Sequence, residues 1–199
     1  KSFNQYLSKV EGRIAQDPLS LEREVRSILK EVQKRGDEAL VHYTRLFDGV
    51  RISIPELQVK REEVKQAYRR VPRDFFKTLV KASYRIRKFH QLSKRRWSTR
   101  WVDKGIRLEQ ILRPLERVGI YIPGGKASYP SSVLMAAIPA KVAGVREIII
   151  ATPPQQEGIS PAVLVAADLA GVDRIYQVGG VQAIAAFAYG TPSIPRVDK

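Results

Sequence analysis

A chain of 199 residues with 44% hydrophobic side chains can bury one substantial core or two small ones, which excludes disordered and fibrous classes. It holds no cysteine, no apolar run of membrane-spanning length and, from Lys1 to Gln5, no apolar signal-peptide centre, so a soluble cytoplasmic protein without disulfide or thiolate chemistry is expected. The net charge of +15 is uneven: residues 1–117 carry 29 basic and 15 acidic side chains, whereas residues 118–199 carry six and five. This contrast, with the change of pattern below, divides the chain into a basic helical region, 1–117, and a nearly neutral domain, 118–199.

The first region reads as helices. Leu21, Val25, Ile28, Leu29 and Val32 recur at spacings of three and four and make one apolar face, which Gly36 closes. A second helix presents Ala39, Leu40, Tyr43, Leu46 and Phe47 and ends near Asp48–Gly49. Ile52–Ser53–Ile54 and Leu57–Gln58–Val59 are short strand-like pieces around Pro55. Helical spacing returns from Glu62 to Val71, and again from Arg73 to about Trp97 through Phe76, Leu79, Val80, Ser83, Ile86, Phe89 and His90. From Trp101 to Arg117 the apolar positions Ile106, Leu108 and Leu112 alternate, as in a strand that leads into a sheet or forms a hairpin beside one.

The second region repeats one unit. Val118–Ile122 runs into Pro123–Gly124–Gly125, Glu147–Ala151 into Thr152–Pro153–Pro154, and Arg174–Val178 into Gly179–Gly180. An alanine-rich helical stretch follows each turn: one that Ser128 to Pro130 can start and that runs to about Ala143, with Pro139 expected to kink it and Gly144 to close it, then Ser160–Pro161 to Gly171 with Ser160 as the cap, and Gln182 to Tyr189. Strand, turn and helix in alternation predict a parallel α/β sheet of Rossmann-like kind. Crossovers of one hand place all three turns along one sheet edge, beside three helix amino ends, where a nucleotide or similar small ligand binds.

The motifs on that edge are irregular. Gly119 and Gly124 have phosphate-loop spacing, but Gly125 stands where lysine is required and no Lys-Ser/Thr pair follows, so Lys126 does not complete the loop. The Gly-x-Gly-x-x-Gly fingerprint is missing, and the second strand ends in Thr152–Pro153 where an acid ordinarily holds ribose hydroxyls. Tyr121 stands either in the core or against a cofactor, and Gln182 either reaches into the crevice or caps its own helix. His42 and His90, far apart and without cysteine, read as packing or surface histidines, and no nucleophile–base arrangement stands out.

Several segments together resemble histidinol dehydrogenase. They are Arg117 to Gly125, Tyr129–Pro130–Ser131–Ser132–Val133–Leu134–Met135, Ile159–Ser160–Pro161–Ala162 and Val178 to Ala186. Arg35 to Leu40, Tyr43 to Gly49 and Phe89–His90 agree with the same family in order. The resemblance implies an NAD-linked, zinc-dependent, cytoplasmic homodimer with an aldehyde-dehydrogenase-like fold. Its implied reaction is the oxidation of L-histidinol to L-histidine, by two hydride transfers through the aldehyde. The family's NAD-contacting tyrosine and glutamine fall on Tyr121 and Gln182.

The family continues past Val197–Asp198–Lys199 into a Gly-Pro-Gly-Asn segment with another NAD contact, then the zinc ligands, substrate contacts and a Glu-His acid/base pair. This chain is therefore expected to be an amino-terminal half with no metal ligand or catalytic residue of its own, silent by itself. A second reading, a basic nucleic-acid-binding or scaffold protein, rests on Arg69–Arg70, Arg85–Arg87–Lys88 and Lys94–Arg95–Arg96 near Trp97. Nucleic acid is disfavoured, because charge runs on long helices are ordinarily solvated faces and no recognition motif accompanies these.

Overall fold

The chain is described by a computed structural model over residues 18–94, 99–124 and 128–199. The readings placed on Lys1 to Gln5, on Gly125 and Lys126 and on Arg95 to Trp97 lie outside the described residues.

Glu147–Ala151 forms the middle strand, β4, of a parallel sheet flanked by β3 (Arg117–Tyr121) and β5 (Arg174–Tyr176). Its Ile148–Ile149–Ile150 run is wholly buried, as a strand covered on both faces requires. The two-residue period sends Ile148 and Ile150 into one core and Ile149 and Ala151 into another. The first core is closed by α3 (Arg61–Arg70), α4 (Arg73–Lys94), α5 (Pro130–Ala143) and α6 (Pro161–Ala170). The second is closed by α1 (Pro18–Arg35), α2 (Asp37–Tyr43) and α7 (Gly180–Tyr189).

The result is a mixed α/β fold with a parallel sheet between helical layers. Pro161 opens α6, and Gly144 and Gly171 close α5 and α6 in left-handed geometry, as the punctuation predicts. Both sheet edges are covered. Leu57 and Val59 exchange backbone hydrogen bonds with Gln177 and Ile175 at 2.9 Å, and the Asp198 N–H donates to the Arg117 carbonyl at 2.9 Å beside β3.

Some expectations are corrected. Leu46 and Phe47 are 61% and 50% exposed, because the chain widens after α2 into a π-helical turn, Thr44–Asp48, which turns Thr44 inward instead. Ile54 belongs to a 3-10 turn, Ile54–Glu56, rather than a strand, whereas Leu57–Gln58–Val59 does lie against β5, as a single antiparallel bridge of Gln58 to Tyr176. Val80 and Phe89 of α4 are exposed, while Leu79 and Ser83 are buried. Of the two readings of the segment after Trp101 the hairpin holds: β1 (Thr99–Asp103) and β2 (Ile106–Gln110) pair as a separate antiparallel hairpin, with every β2 residue exposed, and do not lead into the sheet. β5 stops at Tyr176 because Gln177 pairs sideways with Leu57, and α7 starts two residues early, at Gly180. Ser160 precedes α6 without a side-chain capping bond.

Candidate cofactor crevice

The carboxyl ends of β3, β4 and β5 lie side by side, since Ile122 N–H donates to Ala151 O at 2.9 Å and Thr152 N–H to Tyr176 O at 3.0 Å. The three turns beyond them are in contact through glycine. A methyl group on Gly124 would lie 2.6 Å from Pro153 Cγ, and one on Gly179 would lie 2.6 Å from Pro153 Cβ, both well inside contact distance. The common edge expected from the alternation is therefore formed.

Tyr121 and Gln182 meet there. Tyr121 is half-buried at the end of β3, and its hydroxyl accepts the Gly180 N–H at 3.2 Å, satisfying one of the four amide donors that begin α7. Gln182 is 0% exposed, and neither its Oε1 nor its Nε2 has a hydrogen-bond partner. It does not cap its helix. Its Oε1 lies 2.7 Å from where a side chain on Gly180 would begin, so the amide is tucked beside the backbone that holds Tyr121. A buried amide left unpaired costs about 1–3 kcal/mol, and such a group in a crevice calls for a polar ligand.

Sequence periodicity missed one neighbour, Asp48, whose Asp-Gly pair read only as a helix stop. From the π-helical turn, its Oδ1 stands 3.4 Å from the position a Gly179 side chain would take, while Oδ2 is buried without a partner. Desolvation raises its carboxyl above the usual aspartate range. Thr44 Oγ1, one turn earlier, is likewise buried and unpaired.

These residues fit the uncharged polar groups of a dinucleotide: the three turns meet beside the start of α7, and the Gln182 amide waits for a donor and an acceptor. Zinc is different. Among the described residues, no three of His, Cys, Asp and Glu stand together as a metal site.

Residues 12–199 match the family model for histidinol dehydrogenase. A histidinol dehydrogenase of Caldanaerobacter subterraneus subsp. tengcongensis is 48% identical over 194 residues, 96% of this chain and 44% of that protein. One of Bacillus thuringiensis subsp. konkukian is 52% identical over 180 residues, 90% of this chain and 42% of that protein. The crystal structure of histidinol dehydrogenase from Elizabethkingia anophelis matches with a TM-score of 0.84 at 36% identity, covering 89% of this chain and 41% of that one. The chain thus spans less than half the length of these relatives. With family motifs, fold and a match over nearly all of its residues in agreement, the chain belongs to the histidinol dehydrogenase family.

Proposed function

We propose that this chain forms part of the NAD site of a histidinol dehydrogenase, which oxidises L-histidinol through the aldehyde to L-histidine and passes one hydride to NAD in each step. The observation that carries the reading is the fully buried, unpaired Gln182 amide beside the Tyr121–Gly180 contact. When bound, NAD supplies the hydride acceptor; Tyr121 and Gln182 would hold and orient it. Nothing among the described residues takes the Tyr121 hydroxyl proton, which leaves it to donate. Zinc and the acid/base pair belong, on this reading, to the rest of the full-length enzyme. The same reading includes an aldehyde-dehydrogenase-like whole fold, a homodimer, a cytoplasmic location and a division near residues 117 and 118. Among the described residues, no helix is long and apolar enough to cross a membrane.

Nucleic-acid binding gains no support from the comparisons. Two of the basic side chains behind it are already engaged: Arg87 donates to Leu169 O at 3.3 Å, and Lys94 to Val142 O at 2.8 Å.

The test is calorimetric NAD binding to the full-length protein. Gln182→Ala should weaken NAD about tenfold, the equivalent of one good hydrogen bond, with little change in the KM for histidinol. Unchanged NAD affinity in both Gln182→Ala and Tyr121→Phe would refute the assignment. The 199-residue chain alone should show no turnover of histidinol with NAD and zinc.

A further inference from the structure

We propose that Asp48 is the hydrogen-bond acceptor for the hydroxyls of the adenosine ribose of the dinucleotide in this crevice. The proposal rests on the NAD reading above and adds a residue to it. In ordinary dinucleotide folds an acid at the end of the second strand receives the ribose hydroxyls, but here that strand ends in Thr152–Pro153. Asp48 arrives at the same place from another element. Its Oδ1 and the Pro153 ring both flank Gly179, at 3.4 Å and 2.6 Å from the position of a Gly179 side chain.

The sign of the charge narrows what sits there. An ionised Asp48 beside the amino end of α7 repels a phosphate from the same spot. The ligand group nearest Asp48 is therefore a hydrogen-bond donor rather than an anion, and of the groups a dinucleotide carries a ribose diol supplies two such donors. The oxygen that is sealed without a partner and the neighbouring unpaired Gln182 amide make this corner costly unless a ligand completes it. The π-helical turn that delivers Asp48 is a feature found frequently at functional sites.

The experiment is calorimetric binding of NAD, NADP and 2′-deoxy-NAD to full-length wild-type and Asp48→Asn protein, each checked for a cooperative melt. In the wild type, 2′-deoxy-NAD should bind about tenfold more weakly than NAD, and NADP more weakly still. Asp48→Asn should lose about tenfold for NAD and less for NADP, so that the preference for NAD shrinks. If that variant melts too early to assay, Asp48→Ser gives the same comparison. Equal loss for all three nucleotides, or no loss, would overturn the role of Asp48. Wild-type protein that binds no NAD would bring down the NAD reading itself. Sensitivity to Gln182→Ala without sensitivity to Asp48→Asn would leave that reading standing and remove only this inference.

Discussion

Asp48 shows what a site residue costs while it waits. One oxygen is shut away without a partner, and desolvation raises the carboxyl, so ionising it opposes folding. The sign follows from proton linkage. Between the ordinary aspartate value and the raised one the folded state holds more protons than the unfolded, so stability falls as pH rises through that window. Asp48→Asn should therefore melt higher than wild type at pH 7 in the absence of nucleotide, and the gain should vanish toward the acid side of the window; scanning calorimetry from pH 4 to 8 reads this. That Tyr121 and Gln182 stand at one sheet edge was legible in the sequence, because turn spacing placed both there. Asp48 was not, because a period of 3.6 carried Leu46 and Phe47 inward, whereas the π-helical turn resets the face by a fraction of a turn.

Elements here are held by close backbone approach and by one ion network. A methyl group on Gly119 of β3 would lie 2.7 Å from the ring of Phe187, which is buried on α7. Gly119→Ala should cost about 1–3 kcal/mol, read as a lowered urea midpoint, because neither the sheet nor the ring has room to move. At the opposite end of the sheet, Glu147 of β4 binds Arg117 of β3 and, at 2.9 Å, Arg174 of β5. Glu147→Gln should lose about 1–2 kcal/mol at low salt and less in 1 M salt, since the flanking arginines are partly open to solvent. β4 could be read from its triple isoleucine alone, and α6 from Ser160–Pro161 and Gly171. The limits of β5 could not, because they depend on Leu57 pairing with Gln177 across 120 positions of sequence, which no local pattern reports.

Across the molecule, two of the many cations have an internal use. α4 carries Arg87 and Lys94 to the carboxyl ends of α6 and α5, where unpaired carbonyls and the helix dipole favour cations. Lys94→Met should lower stability by about 1 kcal/mol in thermal melts, and any affinity for duplex DNA should disappear by physiological salt. The sequence separated a basic part from a neutral one but could not say where those cations end, because that depends on how α4 crosses α5. The fold also ties three distant positions into one. Gly124 and Gly179 press from either side on Pro153, so a side chain gained at either glycine displaces the same proline and with it both neighbouring turns. Residues 124, 153 and 179 should then drift only in concert: in a randomised library selected for a working enzyme, single replacements at the glycines would be purged, and survivors would carry paired changes.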